Sequence, residues 1–326
     1  MPKTLHVNSA MIETAQRRLA GVVVRTPLVR LFTEDSPADI YLKLENLQPT
    51  GSFKVRGARN ALAALAPQDL RSGVYTASAG NMAQALAWSA RELRIPCTAV
   101  VPDTAPEVKL AAIRRLGAKL VPLPFDEWWQ VVAAHQYGPL EDQFFIHPAC
   151  DDLVMAGNGT IGLEVLEDLP DVNTTVVPYG AGGLACGIAT ALRAAKPDMK
   201  VYGAEVTTAA PLSASLSAGF PARISYTSSF VDGIGTGGLL PEMWPLASRL
   251  LNGALVASLA ETTAAVRLLA ERHRIIAEGA AAVALAVALS GQAGDGKIVC
   301  IISGGNINFS TLTAILTEIP AELWRN

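Results

Sequence analysis

Four short loops carry residue types that could do chemistry. In Thr50-Gly51-Ser52-Phe53-Lys54-Val55-Arg56-Gly57, a lysine follows the extended stretch Ile40 to Leu44 and leads into an alanine-rich segment through Leu65. Ser52 has the chemistry of a helix N-cap, which places Lys54 in the first helical turn. There the positive end of the helix dipole opposes an ammonium and favours the neutral amine, the state a Schiff-base lysine needs. The plainer reading of the same segment is a solvated surface lysine. Tyr179-Gly180-Ala181-Gly182-Gly183-Leu184 lies between a strand and a helix pattern. Its glycines let backbone approach an anion, and free N–H groups at the helix start point toward it, which makes a phosphate cradle. The same residues through Ala185 also fit the G-x-G-x-x-A dinucleotide fingerprint, with Glu205 at the next strand end available for a ribose hydroxyl. Ser303-Gly304-Gly305-Asn306 follows an apolar strand and offers a hydroxyl at a sheet end. Ser78-Ala79-Gly80-Asn81 places small residues beside an amide in the same kind of position.

Such loops need a sheet to hold them. Short β-branched runs alternate with longer alanine- and leucine-rich segments, the signature of βαβ units on a mostly parallel sheet. The predicted strands are Val74 to Ala77, Thr98 to Val101, Lys119 to Pro122, Thr174 to Val177, Lys200 to Ala204 and Lys297 to Ile302. Apolar residues recur at three and four through Met82 to Leu93, Glu107 to Leu116, Leu184 to Ala195 and Thr262 to Ala270, which reads as helix. The fold class is α/β. No repeat or Pro/Gly linker divides the chain, so a ligand is expected near an interface, at the carboxyl ends of strands.

Composition removes several function classes. Of 326 residues, 50% are hydrophobic and 17% charged, a balance that supports a large core rather than disorder. The net charge of −3 has no basic cluster behind it, so nucleic acid is not an expected partner. Glu13, Arg17 and Arg18 interrupt any secretory h-region, and a cytoplasmic location is expected. The apolar run Gly279 to Leu289 is well short of the roughly 20 residues a membrane span requires and reads as a buried helix. Cys97, Cys150, Cys186 and Cys300 are too scattered for a disulfide scaffold or a metal site and are expected in the core. There is no Walker A, G-x-S-x-G or H-E-x-x-H sequence.

Taken together, the four loops resemble the serine/threonine dehydratase and serine racemase family of fold type II pyridoxal-phosphate enzymes. The likeness runs from about residue 20 to 310 in the family's order, and Glu45-Asn46-Leu47-Gln48-Pro49 followed by Thr50 through Gly57 is its cofactor-lysine motif. The resemblance implies a tryptophan synthase β-like fold with two domains, each a parallel-rich sheet flanked by helices. These are a large cofactor-binding domain over 1–65 plus 151–326 and a small mobile domain over 72–149. It makes Lys54 the catalytic, cofactor-bearing lysine and Phe53 a wall of the cofactor site. Asn81 would bind the ring hydroxyl, Gly180, Ala181, Gly182, Gly183 and Leu184 the phosphate, and Ser303 the ring nitrogen. Glu278 would lie near the cofactor, and Ser78, Ala79 and Gly80 would face the substrate carboxylate. A neutral serine opposite the ring nitrogen weakens the electron sink and favours prompt loss of a β-leaving group. The implied reaction is elimination of water from a small β-hydroxy-α-amino acid, with Lys54 removing the α-proton and the cofactor phosphate protonating the leaving hydroxyl. Hydrolysis of the released enamine yields a 2-oxo acid and ammonia. A homodimer is implied as well.

Departures from the family pattern bear on the reaction. Ala79 stands where racemases carry a serine that acts on the opposite face, so elimination is expected over racemisation. Met82 replaces a histidine and Ala181 a glycine. The family's cation site would use Glu205 and the Ala209 carbonyl, but Pro211 occupies the position of the second carboxylate, so a monovalent ion is the one expected. Phe125-Asp126-Glu127-Trp128-Trp129 falls in the small domain, and a tryptophan facing the cleft would suit phenylserine alongside threonine and serine; adjacent tryptophans cannot both do so. The other readings are a racemase, a nicotinamide-dependent oxidoreductase using residues 180–185, and a non-catalytic binder on the same fold.

Overall fold

The computed structural model describes residues 4–33, 36 and 38–317. The chain opens with helix α1 (Ser9–Leu19), capped by the Asn8 side chain. Strands β1 (Leu28–Arg30) and β2 (Asp39–Lys43) follow, then α2 (Lys54–Ala64), β3 (Val74–Ala77), α3 (Asn81–Glu92), β4 (Cys97–Pro102), α4 (Glu107–Arg115), β5 (Lys119–Leu123), α5 (Phe125–Ala134) and β6 (Phe144–Phe145). Next come α6 (Asp152–Asp168), β7 (Thr174–Pro178), α7 (Gly183–Ala195), β8 (Lys200–Val206), α8 (Pro211–Ala218), α9 (Trp244–Leu250) and β9 (Gly253–Ala257). Helices α10 (Leu259–His273) and α11 (Gly279–Leu289), strand β10 (Lys297–Ile301) and helix α12 (Phe309–Leu316) complete it.

These strands build two sheets. A six-stranded sheet has the order β1-β2-β10-β7-β8-β9, parallel except where β1 pairs antiparallel with β2. A four-stranded sheet, β5-β4-β3-β6, is parallel throughout. Strands β3 and β7 are buried along their whole length, as expected for parallel strands covered on both faces. That is why β-branched runs without polar alternation identify them. Loops after β3, β7, β8 and β10 therefore leave from carboxyl ends of parallel strands, where the fold class predicts a site.

The expected buried helix is α11, ten of whose eleven residues are buried. All four cysteines are buried and unbridged. No helix among the described residues is long and apolar enough to cross a membrane. The ends of the range expected for the large domain, 1–3 and 318–326, lie outside the described residues.

One local expectation is corrected. Ser52 does not cap α2; Phe53 occupies the N-cap position, with no side-chain cap at all. The reason is pairing with the β10 loop: Ser52 bridges Gly304, and the Phe53 N–H donates to the Ser303 carbonyl at 2.9 Å. Lys54 is still the first residue of the helix.

Candidate active site

The Lys54 amine donates to the Pro148 carbonyl at 2.7 Å and lies 5.1 Å from the centre of the Phe53 ring. Its acceptor is presented by a tight turn in which the buried His147 Nδ1 accepts from the N–H groups of Ala149 and Cys150, at 3.0 and 2.7 Å. Burial pushes the amine down to about 8, against the opposing pull of the Glu278 carboxylate. Burial, rather than the helix start, is what favours the free base here.

Glu278 is buried before α11, and Oε1 accepts from Asn81 Nδ2 at 2.9 Å. Burial first, then the Asp232 charge, raises its carboxyl to about 7; Asn81, Lys109 and Lys54 pull the other way. Glu278 occupies the N-cap position of α11, but its side chain makes no cap hydrogen bond there. Asn81 opens α3 and is held from both sides. Its Oδ1 accepts from Asn306 Nδ2 at 2.8 Å, and the same amide donates to the Thr50 carbonyl at 2.9 Å. Asn306 belongs to the Ser303 loop but had no role assigned from sequence. Its position directly after two glycines at a strand end was the available signal.

The glycine loop closes the ring of contacts. Gly182 has φ +88° and occupies the N-cap position of α7, which has no side-chain cap. A Cβ on Gly183 would lie 2.9 Å from the Ala149 carbonyl, one residue from the Lys54 acceptor. A Cβ on Gly180 would lie 3.0 Å from the Ile234 Cα, beside Gly233, whose own Cβ would lie 3.6 Å from Glu278 Oε1. Ala181 is exposed, so the methyl group in place of a hydrogen meets no obstruction there. Ser78 Oγ accepts from the Gly80 N–H at 3.2 Å, and a Cβ on Gly80 would meet nothing within 4 Å, leaving that backbone open to a ligand. Ser303 is buried and held against Phe53 by its carbonyl. Lys109 of α4 pairs with Asp232, tying the four-stranded unit to the six-stranded one. A cavity of about 1730 Å³ abuts this cluster, with Lys109, Asp232, Glu278 and Asn306 in its wall.

Other expected residues lie elsewhere. Both Glu205 oxygens accept backbone N–H groups at the start of α8, from Leu212 at 2.7 Å and Ser213 at 2.8 Å, while burial raises the carboxyl to about 7. Its oxygens serve the start of the helix that Pro211 begins. Ala209 is buried beside it, its N–H donating to the Val206 carbonyl at 2.8 Å. Among the described residues no group of three or more His, Cys, Asp or Glu could hold a metal ion. Met82 is buried in the core shared by α2 and α3, which makes it a packing residue. Trp128 packs against the cluster of Tyr75, Val100 and Val131 and donates to the Val100 carbonyl at 3.2 Å; Trp129 is exposed.

Residues 19–304 match the model of the family described as pyridoxal-phosphate dependent enzymes. The L-threonine ammonia-lyase of Geobacter sulfurreducens is 40% identical over 312 residues, covering 94% of this chain and 77% of that protein. The catabolic L-threonine dehydratase TdcB of Escherichia coli K12 is 37% identical over 314 residues, covering 94% and 95%. Among solved structures, maize serine racemase superposes with a TM-score of 0.86 at 29% identity, covering 96% of this chain and 97% of the other. The processed form of threonine deaminase isoform 2 from Solanum lycopersicum superposes with a TM-score of 0.84 at 30% identity, covering 97% and 90%.

Proposed function

The chain belongs to the pyridoxal-phosphate dependent enzyme family, and from that premise we propose that it removes water from threonine, releasing 2-oxobutanoate and ammonia. The observation that carries the proposal is the half-buried, low-pKa Lys54 amine, bonded to the Pro148 carbonyl at the meeting point of four strand-end loops. The residues present fit pyridoxal 5′-phosphate: an uncapped helix start suits its phosphate, and a neutral amine suits its aldehyde. When bound, the cofactor supplies an aldehyde that condenses with amines and a ring that delocalises charge from the substrate Cα.

The chain's own groups do the rest in this proposal. Lys54 carries the cofactor and then takes the proton from Cα. The α7 start, from Gly180 to Leu184, binds phosphate through N–H groups. Asn81, oriented by Asn306 and Glu278, meets the ring hydroxyl, while Phe53 walls the ring and Ser303 faces its nitrogen. Ser78, Ala79 and Gly80 accept the substrate carboxylate. Ala79 has no proton to give on the opposite face, which favours elimination over racemisation. Residues 72–149, with the four-stranded sheet, form a small domain that moves against 1–65 plus 151–326. Lys109–Asp232 and Asn81–Glu278 are the contacts that motion would make and break. A monovalent cation at Glu205 and the Ala209 carbonyl, a cytoplasmic location and a homodimer belong to the same proposal. The dimer draws support from exposed Leu47 and Ile276, on segments joined by the Asn46 amide to the Ile276 carbonyl, and from exposed Phe309 at the start of α12.

A 2-oxo-acid assay over a panel of hydroxy amino acids tests the substrate. Threonine is expected to exceed phenylserine in kcat/KM, because the half-buried Trp128 is tied to the Val100 carbonyl and Trp129 is exposed. A strong phenylserine preference overturns the threonine assignment, and absence of 2-oxo acid from every member overturns the elimination.

The pH dependence of cofactor capture follows from the amine. Cofactor-stripped protein should capture pyridoxal with a rate that climbs as pH rises toward about 8 and levels beyond it. The Glu278 charge raises the Lys54 pKa, so Glu278→Gln should move this midpoint to lower pH. Stopped-flow absorbance on both sides of that midpoint reads both, and a midpoint that moves upward contradicts the assigned contact.

A further inference from the structure

Helix α6 lies between the helix that begins at Lys54 and the helix that begins at Gly183, and it meets both backbone to backbone. A Cβ on Gly157 would lie 2.4 Å from the Arg56 carbonyl oxygen and 2.8 Å from the Gly57 Cα. On the other side, a Cβ on Gly187 of α7 would lie 2.4 Å from the Met155 carbonyl oxygen, and one on Gly159 would lie 2.8 Å from that of Gly187. Neither backbone can yield as a flexible side chain would. Each glycine inside a helix costs about 1 kcal/mol relative to alanine, so their presence here is a cost that close approach must offset.

Between the two seams stands Asn158, which is 1% exposed. Its Nδ2 donates to the Gly183 carbonyl at 3.4 Å, at the first residue of α7. Its Oδ1 has no hydrogen-bond donor and would lie 2.9 Å from a Cβ on Gly57, one turn beyond Lys54. One buried amide therefore touches the lysine helix and the cradle helix together.

We propose that α6 is a gauge that sets the separation between Lys54 and the glycine cradle, with Gly157, Asn158 and Gly187 as positioning residues for a ligand gripped at both points. The inference rests on the reading of Lys54 and the 180–184 loop given above. A cofactor held at one end by a covalent bond and at the other by N–H groups binds as a two-point ligand. Its second contact forms at high effective concentration only if the spacing matches. Displacement by about 1 Å is enough to lose on the order of a hundredfold in such arrangements.

The test uses three probes on the cofactor-stripped full chain. Pyridoxal 5′-phosphate needs both points, pyridoxal only the lysine, and inorganic phosphate only the cradle. In Gly157→Ala and Asn158→Leu, affinity for pyridoxal 5′-phosphate should fall by about tenfold or more, while pyridoxal and phosphate stay within about twofold of the parent protein. Asn158→Leu introduces no wedge against backbone and keeps the test open if Gly157→Ala does not fold. Gly162→Ala, whose Cβ would meet the Ala191 Cβ at 3.0 Å, is a milder wedge and should give the same pattern at smaller size. Parallel weakening of all three probes, or none for pyridoxal 5′-phosphate, overturns the gauge alone. Failure of the unsubstituted protein to capture pyridoxal overturns the reading of Lys54 and the gauge with it.

Discussion

Replacing Lys54 by alanine is expected to lower turnover by at least about a thousandfold and to abolish covalent cofactor attachment, while the fold is retained. The size follows from the two jobs the amine holds: it carries the cofactor and it moves the α-proton, and proton transfer by a placed base alone contributes roughly 10²- to 10⁴-fold. The side chain makes one polar contact, to the Pro148 carbonyl, so little stability goes with it. Added small primary amines should restore a fraction of the rate. Circular dichroism, the visible absorbance of the purified protein and a 2-oxo-acid assay read the three parts. Near-normal turnover in the Lys54→Ala protein sinks the assignment.

The largest expected loss of stability comes two residues later. Arg56 is buried, and its guanidinium binds two carboxylates at once: Glu45 through two contacts of 2.8 Å, and Glu164 at 2.6 and 3.0 Å. Lys43, also buried, reaches Glu164 at 2.6 Å and the Thr26 carbonyl at 2.7 Å. Two cations thus balance two buried anions under the lysine helix, with the part-exposed Asp168 carboxylate 3.5 Å from Lys43 at its margin. Arg56→Ala leaves the carboxylates with one lysine between them, and breaking a buried pair costs about 3–5 kcal/mol. Arg56→Lys keeps the charge but loses the planar fork, so an intermediate loss is expected. Urea unfolding measures both, and a loss below about 1 kcal/mol for Arg56→Ala contradicts the network's importance. Burial alone would raise Glu45, but the Arg56 charge and hydrogen bonds and the Thr26 hydroxyl hold it below its ordinary value of 4.5. Its contribution is therefore present above that pH and is lost as pH falls through the lowered value.

Parallel strands were legible because burial on both faces demands runs rich in β-branched and apolar residues, as at Thr174–Pro178 and Lys297–Ile301. Edge elements were not: β1 is three residues long, and β9 is a half-buried Gly-Ala-Leu-Val-Ala segment with one β-branched residue, so neither carries a strong strand signal. Helix α6 is hidden for the opposite reason. It is buried on nearly every side and carries glycines at 157, 159 and 162, so no polar face produces a helical period. The chemistry-bearing loops stand out because glycine and serine at strand ends are informative by type. The partners that orient them do not, since a Pro148 carbonyl or an Asn158 amide acquires meaning only from residues distant in the chain. Ser52 misleads for that same reason, because a pairing with Gly304 decides its backbone.

Borohydride reduction of the cofactor-loaded protein, followed by peptide mapping, tests the central claim most directly. The account predicts a stable pyridoxyl group on the peptide containing Lys54, and none on that peptide without prior loading. Label on a different lysine, or a protein that takes up no label after incubation with pyridoxal 5′-phosphate, contradicts it.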